Sequence, residues 1–309
     1  MHAAVVTTFD APPRYLEYPE PVAGPDELAV DVVAAALHQR VRSQADGSHY
    51  TSTGELPIVP GIDAVVRDAD GRLRYALLDD TAFGTMAERT VIEARRSVIL
   101  PDGVDPVAVA AAMNPAMSSW VALRRRIDFE AGQSVLVIGA TGNAGRVAIQ
   151  VAKRFGAARV IAAGRNRERL AELGALGADE VCTLDGLAAA ADVDVVIDYL
   201  WGATAEHGLV DMLTARADRG RPLTWIQIGS ITGATAAIPS AALRSARLSI
   251  VGSGVGSVPG RDYIAELPAI AEAASAGAFD VRTRTVPLRD VESAWTEPLA
   301  SDERIVFTP

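Results

Sequence analysis

A single cysteine, Cys182, in a chain of 309 residues excludes an intramolecular disulfide and any cysteine-rich zinc site. It lies in Glu180-Val-Cys-Thr183, which reads as a short buried strand, so a core thiol is expected there rather than a nucleophile. Histidine is scarce as well: His2, His38, His49 and His207 are the whole supply. No segment offers eighteen consecutive apolar residues, so no membrane span is expected. The start, Met1-His-Ala-Ala-Val-Val, lacks the basic region and long apolar run of a signal peptide, and a cytoplasmic location is the resulting expectation. Basic excess is missing too. Lys and Arg number 29 against 39 Asp and Glu, a net charge of −10. An acidic chain repels phosphate backbones, which argues against nucleic acid as a partner.

What remains is a globular profile. Half of the chain is apolar (49%), enough for a sizeable core, and its length suggests two domains. The first third is rich in strand signals, at Ala3–Thr7, Glu27–Ala35 and Glu88–Ile92, punctuated by Pro12-Pro13, Gly24-Pro25, Pro57 and Pro60-Gly61. Helical spacing first appears over Asp105–Met113. From Ser134 the pattern changes. Ser134–Ile138, Arg159–Ala163, Glu180–Thr183, Asp194–Asp198, Leu223–Ile228 and Leu248–Gly252 read as six apolar strands, with Arg146–Phe155 and Arg167–Leu176 as helices between the first three. Non-alternating strands separated by helices predict a parallel sheet covered on both faces, and six of them match the doubly wound α/β dinucleotide fold. Beyond it, Asp262–Ala276 reads as an amphipathic helix, and Val281–Pro287 and Ile305–Phe307 as strands. This tail is too short to stand alone and is expected to complete the N-terminal β unit. The expected domains are residues 1–115 with 254–309, mostly β and discontinuous, and residues 116–253, the doubly wound sheet.

The most informative stretch is Val137-Ile-Gly-Ala-Thr-Gly-Asn-Ala-Gly145. Its glycines, Gly139, Gly142 and Gly145, follow an apolar strand and open a helix. A turn without Cβ atoms lets backbone N–H groups approach a pyrophosphate, and the helix N-terminus adds partial positive charge. Ala140, Thr141, Asn143 and Ala144 complete the candidate cradle, whose spacing departs from G-x-G-x-x-G because position 140 is alanine. After the second strand an NAD site places a carboxylate. Here Gly164-Arg165-Asn166-Arg167 follows instead. Arg165 suits a 2′-phosphate through forked hydrogen bonds, with Asn166 and Arg167 as second candidates, so NADPH is the expected cofactor. Gly229 and Ser230 end the fifth strand and Gly252 and Ser253 the sixth, where this architecture holds its ligands. A glycine-rich bend between domains explains Gly252 equally well.

Taken together these residues resemble the medium-chain dehydrogenase/reductase superfamily, in particular its zinc-independent quinone oxidoreductase branch. Leu56-Pro-Ile-Val-Pro-Gly-Ile-Asp63, Phe83-Gly-Thr-Met-Ala-Glu88, Met117-Ser-Ser-Trp-Val-Ala-Leu123 and Leu173-Gly-Ala-Leu-Gly-Ala-Asp179 are similar to family segments, in the family order. The resemblance implies a GroES-like catalytic domain around a Rossmann domain, an active site in the cleft, a small-molecule substrate and a homodimer paired near Gly252. In the zinc branch a Cys, a His and a Cys or Asp hold the catalytic metal. By segment matching those positions are His38, Ile62 and Asn114, one good ligand where three are needed, so no metal is expected. A hydrogen-bond donor must then stabilise the oxygen that hydride transfer makes negative. His38, His49 and Tyr50 are the candidates, and Asn114 and Ser118 could orient a substrate. The implied activity is NADPH-dependent reduction of a quinone, enone or other activated carbonyl compound. A carbonyl or alcohol oxidoreductase, or an inactive NADPH-binding sensor, are the alternatives.

Overall fold

The computed structural model describes every residue except Leu299 and Ser301. The chain divides into two compact units, Met1–Asn114 with Ile264–Pro309, and Pro115–Tyr263.

The first unit is mostly β. Strands β1 (His2–Val5) and β2 (Arg14–Glu17) pair as an antiparallel ribbon. β3 (Glu27–Ala36) is the hub of a larger sheet. Along its first half Glu27, Ala29 and Asp31 are exposed while Leu28 is half-buried and Val30 and Val32 are buried, the period of two that puts one sheet face on a core. β4 (Asp63–Arg67), β5 (Leu73–Leu77), β6 (Arg89–Glu93) and β7 (Ser97–Ile99) follow in the chain, with helix α1 (Gln39–Ala45) between β3 and β4. β6 and β4 both pair with β3, and β5 bridges β4 to β7. The sheet is completed from the tail. β14 (Arg282–Pro287) pairs in parallel with β15 (Glu303–Thr308), and β15 pairs with β3, Val306 opposite Ala36 and Phe307 opposite Ala35. Val5, Val30, Ile92, Leu288, Ile305 and Phe307 meet in one core beneath it.

Helix α2 (Pro106–Val121) runs into a π turn at Ala122–Arg126. By length and composition this stretch is apolar enough to cross a bilayer, but 72% of its most apolar window is buried inside the protein. That is the behaviour of a core helix.

The second unit is the doubly wound sheet. β8 (Ser134–Ile138), β9 (Arg159–Gly164), β10 (Glu180–Thr183), β11 (Val195–Asp198), β12 (Leu223–Gln227) and β13 (Leu248–Gly252) are all parallel, in spatial order β10-β9-β8-β11-β12-β13. Helices α3 (Asn143–Arg154), α4 (Arg167–Ala171), α5 (Gly202–Ala215) and α6 (Ser240–Ser245) supply crossovers; α7 (Gly260–Ser275) begins at the end of this unit, and α8 (Val291–Thr296) belongs to the first. The four inner strands are buried almost throughout, because helices cover both faces. The edge strands are not. β10 has the burial of a half-covered edge, with Val181 46% exposed and Cys182 half-buried, so the buried strand expected around the cysteine is a strand but not a buried one. The predicted helix Arg167–Leu176 is also broken: α4 ends at Ala171 and a 3-10 turn runs Leu173–Leu176 to Gly177, whose φ of +101° no β-carbon-bearing residue adopts readily.

Candidate dinucleotide site and candidate donors

Order reverses between β8 and β11, the point where ligands sit outside the carboxyl ends of such sheets. The glycine turn lies there. After Ile138 the chain turns through Gly139 at φ +86°, a left-handed conformation that favours glycine. Gly139 N–H and Ala140 N–H both donate to the Ala163 carbonyl, at 3.0 and 2.9 Å, which ties the turn to β9. α3 begins at Asn143 with Gly142 as its cap. Gly142 has no side chain with which to cap the first turn, and no acid lies in that turn to oppose an anion. Gly145 is required by space: a Cβ there would sit 2.3 Å from the Gly139 carbonyl oxygen and 2.6 Å from Ala140 Cα.

The ends of β9 and β11 meet this turn, and the end of β12 meets that of β11. A Cβ on Gly164 would meet Thr141 Cγ2 at 2.9 Å, and one on Gly139 would meet Leu200 Cδ2 at 3.1 Å. One on Gly229 would lie 2.5 Å from the Tyr199 carbonyl oxygen. The structure therefore gathers Gly139, Thr141, Gly164 and Gly229, and adds Tyr199 and Leu200 as floor. Ser230 is exposed beside Gly229. Gly252 ends the edge strand β13 and Ser253 follows it. Arg126 Nε donates to the Gly252 carbonyl at 2.7 Å, and Ser253 N–H to the Gln227 carbonyl at 2.8 Å. A Cβ on Gly252 would meet only Gln227 Oε1, at 3.9 Å, so packing within the chain does not demand glycine there.

At the end of β9, Arg165, Asn166 and Arg167 are all exposed. Asn166 spends its side-chain oxygen on the cap of α4, accepting from Arg169 N–H at 3.0 Å. The two arginines keep their charge at the surface. A glycine cradle at a helix start whose first turn carries no acid, next to arginines where an acid would repel phosphate, fits a phosphorylated dinucleotide.

One feature of this region carried no sequence signal. Trp201 has φ +56° and ψ −152°, the one described non-glycine residue with positive φ. Its N–H donates to Asp198 Oδ1 at 3.0 Å, and Leu200 N–H to the same oxygen at 2.8 Å. Asp198 Oδ2 accepts from Trp225 Nε1 at 3.0 Å. Burial pushes the Asp198 carboxyl up and these three donors pull it back. Strain of about 1–3 kcal/mol of this kind persists where surrounding bonds enforce it, and it clusters at functional sites.

The candidate donors belong to the first unit. His38 caps the start of α1 and is buried. Its Nε2 lies 2.8 Å from Asp63 Oδ1, and the Tyr75 hydroxyl donates to Asp63 Oδ2 at 2.7 Å. Burial lowers the His38 pKa and Asp63 raises it, the first effect winning. A neutral ring that gives its Nε2 proton to a carboxylate has only a lone pair left at Nδ1, so in that state it accepts rather than donates. Arg304, also buried, is lowered to about 10 by burial and faces the same carboxylate. Asp63 was not singled out from the sequence, though it ends the Pro-Gly-x-acid turn. Ile62 packs against the apolar core and Asn114 is half-buried on α2. Among the described residues no three His, Cys, Asp or Glu side chains cluster as a metal would need.

His49 and Tyr50 are neighbours in space, their rings 4.2 Å apart, and Tyr50 is 71% exposed. Burial, then Arg40, lowers His49 to about 4, against the pull of Asp80. Ser118 lies 3.0 Å from the Tyr199 hydroxyl, whose pKa burial raises to about 12.

The sequence model of the family described as zinc-binding dehydrogenase matches residues 144–273. Along its whole length the chain is 30% identical to a probable NADPH-dependent quinone reductase, tdiC, of Emericella nidulans, all of which is covered. It is 32% identical to a chloroplastic NADPH-dependent alkenal/one oxidoreductase of Arabidopsis thaliana, over 50% of this chain and 44% of that protein. The quinone oxidoreductase of Thermus thermophilus, solved also with NADPH, superposes with a TM-score of 0.84 at 25% identity, 100% of both chains being covered. The fold and these relatives define the class: the chain belongs to the medium-chain dehydrogenase/reductase superfamily, in its quinone oxidoreductase-like branch.

Proposed function

We propose that this protein is an NADPH-dependent oxidoreductase that reduces a quinone, an enone or another activated carbonyl compound without zinc. The observation that carries the reading is the cradle at Gly139–Gly145, glycine-lined by steric necessity, with Arg165 rather than an acid at the end of β9. The relatives named for NADPH, quinones and enones support it.

When bound, NADPH supplies a hydride, and the substrate oxygen that receives the displaced electron pair takes a proton from water. The residues of the chain bind and orient. Gly139, Ala140, Thr141, Gly142, Asn143, Ala144 and Gly145 hold the diphosphate against the start of α3. Arg165, with Asn166 and Arg167 beside it, holds the 2′-phosphate. Gly164, Gly229, Ser230, Gly252 and Ser253 border the ribose and nicotinamide. His49 and Tyr50 offer ring N–H and hydroxyl donors to the oxygen. Asn114 orients the substrate, and His38 contacts it through Nδ1. The bond of His38 to Asp63, Ile62 at the second ligand position and Asn114 at the third support zinc independence. The half-exposed edge strand β13 supports a homodimer, and a lone cysteine suits the reducing cytoplasm.

The test is NADPH oxidation with a small panel of quinones and enones. Turnover of one member with NADPH, and weakly with NADH, is expected. Tight NADPH binding with no turnover of any member would make the protein a nucleotide sensor instead.

A further inference from the structure

The second unit carries a cavity that dinucleotide binding does not use. It measures about 350 Å³ and is lined by Leu123, Arg124, Phe129, Ala131, Arg154 and Phe155. Three pieces of chain build it: the π turn after α2, the loop leading into β8 and the end of α3. The π turn closes with the Ile127 N–H donating to the Ala122 carbonyl at 3.2 Å, and widened turns of this kind recur at functional sites. The loop is tied to the end of α3. Gly132 N–H donates to the Gly156 carbonyl at 2.8 Å, and a Cβ on Gly156 would lie 2.9 Å from Ala131 Cβ. Trp120 and Phe155 meet edge to face, their rings 4.7 Å apart. The Arg124 guanidinium lies 5.8 Å from the Phe155 ring, and that of Arg154 5.8 Å from the Trp120 ring.

The charge of this wall runs against that of the chain. Acids outnumber bases 39 to 29 overall, yet the lining holds two arginines and no acid. Asp128 and Glu130 flank Phe129 in the chain but are exposed and do not line the cavity. A basic residue in the last turn of a helix ordinarily answers the carbonyls there. Those of α3 are already taken by backbone donors: Phe155 N–H bonds to Val151, Gly156 N–H to Lys153 and Ala157 N–H to Ala152, at 2.9 to 3.0 Å. Two guanidiniums held over aromatic faces, beside an apolar wall, suit an anion with an apolar body. We propose that this cavity binds a small carboxylate carrying an aromatic or aliphatic body, with Arg124 and Arg154 on the carboxylate and Leu123, Phe129 and Phe155 on the body. The site is separate from the dinucleotide cradle, which lies at the other end of α3, a helix of 12 residues and so about 18 Å long. The inference goes beyond the reductase reading and does not depend on it.

The probe is 1-naphthoate, with the neutral 1-naphthalenemethanol as its partner, titrated calorimetrically into the full-length protein. The expected result is saturable binding of one naphthoate per chain, with the same Kd when NADPH is present in excess. The alcohol should bind roughly tenfold more weakly, and raising the salt from about 0.05 to about 0.5 M should weaken the acid alone. Arg154→Gln, at an exposed position, should weaken naphthoate roughly tenfold and leave the alcohol unchanged. Phe129→Ala should weaken both probes. Naphthoate that never saturates, binds no better than the alcohol, competes with NADPH or is indifferent to Arg154→Gln overturns the proposal. Turnover of NADPH enters none of these readouts, so a failure here and a failure of the reductase reading are distinct.

Discussion

Replacing Gly145 by alanine is the sharpest perturbation of the dinucleotide cradle. The added methyl would lie 2.3 Å from the Gly139 carbonyl oxygen, 2.6 Å from Ala140 Cα and 2.8 Å from Gly139 C. All three are backbone atoms of the turn, so no side chain can rotate away and α3 must back off from β8. Two effects oppose each other. Alanine is a better helix former than glycine by roughly 1 kcal/mol. Forcing a methyl into filled space costs typically about 1–3 kcal/mol, and rigid backbone neighbours put this site at the upper end. Overpacking wins, leaving a net loss of about 2 kcal/mol, which lowers the melting temperature by roughly 4–8 °C for a unit of this size. The loss in NADPH affinity should be larger than tenfold, because the displaced helix start no longer presents its N–H groups to the diphosphate. Scanning calorimetry reads the first quantity and titration calorimetry the second. A Gly145→Ala protein with wild-type melting and wild-type NADPH affinity would refute the argument from close approach.

Arg165→Ala should weaken NADPH roughly ten- to a hundredfold and leave NADH unchanged, the loss of about 1.5–3 kcal/mol expected for a charge-assisted phosphate bond; equal losses for both nucleotides would show that Arg165 does not read the 2′-phosphate. His38→Ala should destabilise the first unit by about 2–3 kcal/mol in urea unfolding, because the buried Asp63 loses a donor, and Tyr75→Phe by about 1–2 kcal/mol on the same ground. Asp68 accepts from Arg74 and Arg72, which hold its carboxyl down to about 2 from 3.8. Its folded pKa is depressed, so its contribution is present above 3.8 and lost as the pH falls through about 2. Asp68→Asn should therefore melt below the wild type at neutral pH, with the gap closing in strong acid.

Much of the architecture was legible in the residues. β8 falls where the apolar run Ser134–Ile138 puts it, because a strand buried between helices has no alternation to confuse its limits, and the half-covered edge strands β10 and β13 coincide with Glu180–Thr183 and Leu248–Gly252. The docking of the tail onto the N-terminal unit through β15 and β3 was expected from its shortness and is seen in the pairing of Phe307 with Ala35. Burial at the edges was not legible. Glu180-Val-Cys-Thr183 is apolar enough for a central strand, and only the spatial order shows that β10 has a neighbour on one side alone. The glycine turn announced itself because space dictates its residue type. The networks did not. That Asp63 joins His38 to Tyr75, or that Asp198 holds Trp201 in a strained conformation, depends on residues brought together from separate strands, and no local pattern encodes such a meeting.

The most direct measurement is the dihydronicotinamide absorbance of NADPH mixed with the protein, after dialysis against a strong chelator, and a quinone or enone. Consumption of NADPH, with the reduced compound formed one for one and no gain on adding zinc, is the predicted result. Activity that vanishes on chelation and returns with zinc, or NADPH that is never consumed with any acceptor, would contradict it.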